Sequence, residues 1–300
     1  MTGTDDAFAD TPVAIVGLGL IGGSIARGLR QAGHRGRLTG CVVDAADVAT
    51  AERLGLVDHV STELGEAVAG AALVIVAVPV GAMASVFAEL GAHLGADTAV
   101  TDVGSTKMSV IADARAGLGK AIGRFVPGHP IAGTEHSGLE AGVAGLFNQR
   151  RVILAPTPET DADALARVEA FWQSLGAQIS EMDAAHHDEV LAATSHLPHV
   201  LAFALVDTLA RMAERTEIFA YAAGGFADFT RIASSDPALW SDIVTANRQA
   251  IGPVLDRYIG DLEQLRAAIA AHDGDTLVAA FGRAKQARDR FAQRSTNDKA

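Results

Sequence analysis

The stretch VAIVGLGLIGGS, Val13 to Ser24, decides the fold. A short β-branched run ends in glycine, and LIGGSIARGLRQAG follows at once with helical spacing, ending at Gly33. The junction holds Gly17-x-Gly19-x-x-Gly22. Three glycines alone say little, but between a strand and a helix each has a task. Gly17 permits the tight turn, Gly19 lets the backbone approach a diphosphate, and Gly22 lets helix and strand pack closely. The free amides and positive dipole end of the new helix, at Gly19, Leu20 and Ile21, suit an anion.

Outward from this turn, strand and helix signals alternate. RLTGCVV, ALVIVAVP and TAVTDVGS read as strands, and AADVATAERLGL and KMSVIADARAGL as helices. That alternation predicts a Rossmann-type doubly wound parallel α/β sheet. RFVPGHP and RVILAPT are expected to be later strands of the same layer, and TDADALARVEAFWQSLG a further helix. A dinucleotide on such a sheet needs an acid at the end of the second strand to hold its ribose. The first acid there is Asp44, which reads equally as a cap for the next helix. No arginine occupies this strand end, which favours NAD over NADP. Val78 and Pro79, closing ALVIVAVP, complete the expected cofactor wall.

Past Met182 the strand signals stop. HDEVLAATSHLPHVLAFALVDTLARM has helical spacing with Pro198 as an expected kink or break, and SSDPALW opens a run of long helices. The expected organisation is a dinucleotide-binding domain over 10–181 and an all-helical domain over 182–295. The final residues, STNDKA, read as frayed.

The chain has 300 residues and a net charge of −12, a poor match for nucleic acid or an anionic membrane surface. A single cysteine, Cys41, rules out a disulfide framework or a cysteine-rich metal site. The N-terminal MTGTDDAFADTP lacks a basic-then-apolar export pattern, and the longest apolar run, AALVIVAVPV, is a strand's length. No membrane segment and a cytoplasmic location are expected.

Chemistry-bearing residues cluster in five places. Ser105, in TDVGSTK, stands at the carboxyl end of a strand, where such sheets bind ligands, or caps the next helix. His129, in PGHPIAGTEHSG, is stiffened by Pro130 and given room by Gly128; a neutral imidazole there suits a general base, or is merely structural. In SHLPH, Ser195 and His199 share a helix face if the helix runs through Pro198. No third ligand accompanies this histidine pair at a recognisable spacing, so no metal is expected; the pair at 186–187 reads as a solvated helix start. In GGFADFTRIASSDP, Arg231 suits carboxylate capture, or pairs with Asp228 on the surface. Arg150 and Arg151 read as a solvated strand entrance.

In their order, VGLGLIGGS, TDVGSTK, GHPIAGTEHSG, SHLPHVLAFAL and GGFADFTRIASSDPALW resemble the prephenate and cyclohexadienyl (arogenate) dehydrogenases, over about residues 13 to 290. The resemblance implies NAD-dependent oxidative decarboxylation of prephenate to 4-hydroxyphenylpyruvate in tyrosine biosynthesis, or of arogenate directly to tyrosine. It implies His129 as the base for the ring hydroxyl and Ser105 as its orienting partner. Ser195, His196 and His199 would lie by the substrate, and Arg231 would bind one carboxylate of the dianion. Glu135, Asp228 and Trp240 would line the entrance, and Gly224 would serve a neighbouring subunit's site in a homodimer formed through the helical domain. The family's ribose-binding acid falls at Val42 here, and the acid itself appears at Asp44. Two other readings compete. A β-hydroxyacid dehydrogenase would need a lysine on the helix after the sheet, and none is found there. A non-catalytic dinucleotide sensor would have no use for His129 and Arg231.

Overall fold

A computed structural model describes residues 8–213 and 215–297. The first seven residues of the acidic N-terminal stretch, and the last three of the end read as frayed, lie outside the described residues. Contacts divide the chain into two compact units that meet at residues 250 and 251.

The first unit is built on a six-stranded parallel sheet of β1 (Val13–Val16), β2 (Leu38–Cys41), β3 (His59–Ser61), β4 (Leu73–Val76), β5 (Ala99–Asp102) and β6 (Phe125–Val126), in the order β3-β2-β1-β4-β5-β6. The helices between them are α1 (Leu20–Gln31), α2 (Ala45–Leu54), α3 (Leu64–Val68), α4 (Met83–Leu90) and α5 (Met108–Leu118). Alternate strand residues face two cores. Val13 and Ile15 join the layer of α1 and α2, while Ala14 and Val16 join the layer of α3, α4 and α5. The strand order reverses at β1 and β4, and Val16 registers with both Cys41 and Val76. The carboxyl ends of the central strands are therefore level, and the crevice at that reversal is where such sheets take ligands.

The expected continuation of this layer is corrected by the structure. Only Phe125–Val126 of RFVPGHP joins the large sheet. β7 (Gly128–Pro130), β8 (Arg151–Leu154) and β9 (Gln178–Glu181) form a second, three-stranded sheet, in which β7 runs antiparallel to β8. Pro127 separates the two and cannot donate to a ladder. Between β8 and β9, α6 (Ala162–Ser174) buries Phe171 and Trp172 completely in the first core.

Then come α7 (Ala184–Leu191) and α8 (Leu197–Ala210), joined without a break through one π turn, Ala192–His196. Pro198 thus does not end the helix. It lies inside the continuous run, and the widened π turn just before it accommodates the ring and the missing N–H. By length and composition this one continuous helix, Ala184–Ala210, could cross a membrane, although no uninterrupted apolar run in the sequence is that long. Its His187, Asp188 and His196 are buried and bonded to other parts of the protein. Helices α9 (Arg215–Ala220), α10 (Gly224–Thr230) and α11 (Pro237–Ala246) complete the first unit.

The second unit holds most of α12 (Arg248–Ala270) and α13 (Gly274–Asn297). Ile259, Leu262, Ile269, Val278, Phe281 and Phe291 are exposed on it.

Candidate active site

The glycine turn separates two kinds of requirement. Gly17 has φ +93°, and a Cβ there would meet the Ala77 carbonyl oxygen at 2.5 Å, so the turn is pressed against the end of β4. A Cβ on Gly22 would stand 1.9 Å from the Gly17 oxygen. The protein's own backbone demands both glycines. Gly19 is different: its φ is −66°, and a Cβ would meet nothing within 4 Å. The open space lies at the start of α1, whose first ladder bond runs from Gly23 N to Gly19 O, leaving the amides of Leu20, Ile21 and Gly22 ahead of it. A cradle that a side chain would fill, lined by helix-end amides, fits a dinucleotide's diphosphate. Val78, just past β4, approaches the same turn, its Cγ1 3.1 Å from a Cβ built on Gly17.

Asp44 stands at the N-cap of α2 and is exposed, but its carboxylate makes no capping bond. That removes the capping explanation and leaves its oxygens available at the second strand's end. Val42, the position at which the resemblance would place the ribose-binding acid, is buried in the core.

Ser105 does not cap α5 either, since that helix begins at Met108. It lies in the loop after β5 with its backbone against His196. The same loop builds the floor of the site. Lys107, fully buried, donates from Nζ to Asp102 Oδ2 and to the Gly128 carbonyl (2.6 Å). Asp102 Oδ1 accepts from Gly128 N at 3.0 Å. Both backbone groups of the residue before His129 are thus gripped by one ion pair. A Cβ on Gly128 would meet the Asp102 carbonyl oxygen at 2.9 Å, which is why glycine stands there.

His129 itself is buried, with Nδ1 2.9 Å from His187 Nε2. His187 Nδ1 lies 2.8 Å from Asp188 Oδ1. Asp188 also accepts from the Lys107 and Met108 amides at 2.7 and 2.9 Å, at the N-terminus of α5. Burial drives the His129 pKa well below the ordinary value, and the neighbouring His187, Lys107 and His196 push it the same way. Burial would raise Asp188, but the bonds from His187 and the two amides outweigh it and hold the carboxyl below its usual range. The site therefore holds a neutral imidazole backed by an ionised carboxylate.

Asn247 Nδ2 donates to the Asp188 carbonyl oxygen (2.9 Å) and contacts His196 Nδ1 (3.0 Å). Burial lowers the His196 pKa to about 4, so it too is neutral. One turn further along α8, His199 stacks on Trp240, with ring centroids 3.5 Å apart and planes 15° apart. Its Nδ1 is 2.9 Å from the Ser195 carbonyl oxygen, so the two share a face as the spacing predicts. At the exposed edge, Arg231 pairs with Glu135 at 3.0 Å, not with Asp228. Asp228 is exposed on α10, and Gly224 begins that helix with nothing within 4 Å of a Cβ built on it.

Several functional side chains escaped the sequence reading. His187 is fully buried, and only His186 of that pair is solvated. The signal was present: His187 and Leu191 are four apart, on a face that continues into SHLPH. Lys107, Asp102 and Asn247 gave no such signal, because a buried ion pair and a buried amide depend on packing between elements distant in sequence.

Two family models match the chain: the prephenate dehydrogenase nucleotide-binding domain over residues 25–181, and the prephenate dehydrogenase dimerization domain over 183–283. The cyclohexadienyl dehydrogenase of Zymomonas mobilis is 43% identical over 280 residues, 92% of this chain and 94% of that protein. The crystal structure of A. aeolicus prephenate dehydrogenase in complex with hydroxyphenyl propionate and NAD+ is 36% identical, covers 95% of this chain and 99% of its own, and has a TM-score of 0.87. Synechocystis arogenate dehydrogenase is 29% identical, covers 94% and 100%, and has a TM-score of 0.77. With the glycine cradle, the buried histidine and the arginine at the site's edge, these similarities lead to one conclusion: the chain is an NAD-dependent dehydrogenase that belongs to the prephenate dehydrogenase family.

Proposed function

We propose that the protein converts prephenate, with NAD, to 4-hydroxyphenylpyruvate and carbon dioxide in the cytoplasm. The observation that carries this reading is a buried, neutral His129 held beyond the carboxyl edge of the sheet, with Arg231 at the exposed edge of the same site region. Gly19, Leu20, Ile21 and Gly22 would hold the diphosphate of NAD, Asp44 its ribose, and Val78 and Pro79 its flank; the bound cofactor would supply the acceptor for hydride from ring carbon C4. His129 takes the proton of the C4 hydroxyl as that carbon becomes a carbonyl, and Ser105 orients the pair. Arg231 binds a substrate carboxylate with its planar fork and must leave Glu135 to do so. Ser195, His196 and His199 line the ring, Trp240 steadies His199 by stacking, and Asp228 lies with Glu135 at the entrance. Gly224 serves the site of a second subunit in a homodimer. The exposed apolar residues of α12 and α13 support that assembly.

Loss of the ring carboxylate gives an aromatic ring, so the site has to orient, accept a proton and clamp an anion, and has no long-lived intermediate to stabilise. Use of arogenate, alone or alongside prephenate as a dual-specificity cyclohexadienyl dehydrogenase, is the second reading, favoured by the Synechocystis arogenate dehydrogenase and the Zymomonas cyclohexadienyl dehydrogenase. Initial rates of nicotinamide reduction with prephenate and arogenate, each with NAD and NADP, test both. Faster turnover of prephenate with NAD is expected. Faster turnover of arogenate moves the assignment to the second reading, and NAD binding without turnover of either would return the sensor.

A further inference from the structure

Asp188, His187 and His129 form a single buried line, and its hydrogen positions follow from one end. Asp188 accepts from two backbone amides, so it is anchored as a carboxylate and has only acceptor oxygens for His187. His187 Nδ1 therefore carries a hydrogen. With that one hydrogen on Nδ1, His187 presents a bare Nε2 to His129 Nδ1. His129 Nδ1 must then be the donor.

We propose that His187 and Asp188 are positioning residues that fix His129 as its Nδ1–H tautomer, leaving Nε2 bare for the substrate hydroxyl, and that share the charge its proton brings. This deepens the reading of His129 as the base and rests on it. The chemistry explains why the line can end inside the protein. As the C4–H bond breaks and its electron pair leaves as hydride, the hydroxyl proton passes to His129 Nε2 and a C4 carbonyl forms. The bond from C1 to its carboxylate then breaks, carbon dioxide leaves, and the electron pair flows through the ring to the C4 oxygen. That oxygen takes its proton back from His129 Nε2. No net proton is released, so the relay needs no outlet to water. It needs only to hold the charge for one turnover, which a buried carboxylate two bonds away does.

The test is nitrogen-15 NMR of the histidine side chains in the full-length protein with NAD at neutral pH, with assignments from His129→Asn and His187→Gln. A protonated Nδ1 and bare Nε2 on His129 are expected; the opposite tautomer, or an imidazolium at His187, overturns the relay. In Asp188→Asn the amide can present N–H to His187, reversing every donor along the line. The His129 hydrogen should move to Nε2, and kcat should fall on the order of 10³-fold or more with KM little changed. Because Asp188 also holds the start of α5, a second pair covers a variant that fails to fold. His187→Gln keeps an acceptor oxygen and should stay within about tenfold of the parent kcat, while His187→Leu should lose about 10²-fold at unchanged KM. Equal losses in the pair overturn the proposal. The rate of His129→Asn tests the base reading separately. A normal rate there with the expected tautomer removes the base, and a lost rate with the opposite tautomer removes only the relay.

Discussion

At the scale of single residues, the site separates what the fold needs from what the ligands need. Gly22 is demanded by the Gly17 carbonyl, but among the described residues no atom lies within 4 Å of a Cβ built on Gly19. Gly19→Ala should therefore leave unfolding in urea nearly unchanged and weaken NAD binding by tenfold or more, read by titration calorimetry. A large loss of stability, or unchanged NAD affinity, would contradict the cradle. Arg231 is solvent-exposed and paired with Glu135 at the site's edge, and such pairs add little to stability. Arg231→Gln should raise KM for prephenate by more than tenfold with the unfolding midpoint unmoved. An unchanged KM would take it out of the substrate site.

At the scale of elements, short segments are aimed by the ends of their neighbours. Helix α11 starts where Asp236 Oδ1 accepts from the Ala238 and Leu239 amides at 2.8 and 3.1 Å, and it carries Trp240 to the His199 ring. Asp236→Ala should cost about 1 kcal/mol in urea unfolding and loosen that stack, and an unchanged stability would show the cap to be idle. The Asp-Pro start of this helix was readable in the sequence, as were β1, α1 and the strand that leads to Ser105, because each depends on local pattern and capping. The second sheet was not. β7 and β8 look like further strands of the parallel layer until Pro127 is seen to part β7 from β6, and pairing direction has no local signature. His187 was misread for a similar reason: beside the solvated His186 it resembles a helix start, and it is buried where it meets His129 on β7, far away in sequence.

At the scale of the whole molecule, the buried histidines tie the fold to pH. His129 and His196 both have folded values below the ordinary 6.5, chiefly through burial, with His196 at about 4. The unfolded chain therefore binds protons first as pH falls. Their contribution to stability is full above about pH 6.5 and declines as pH falls below it; His196, lowered to about 4, alone accounts for roughly 3 kcal/mol of that loss. Urea unfolding across that window should show the decline, and a flat profile would contradict the neutral, buried site. The glycine turn and the motif order disclosed the family and the cofactor, while the histidine relay beneath His129 required the assembled core. The most direct measurement for the account as a whole is turnover of His129→Asn with prephenate and NAD. The account predicts a fall in kcat of roughly 10²–10⁴-fold with NAD affinity and folding intact; a near-normal kcat would contradict it.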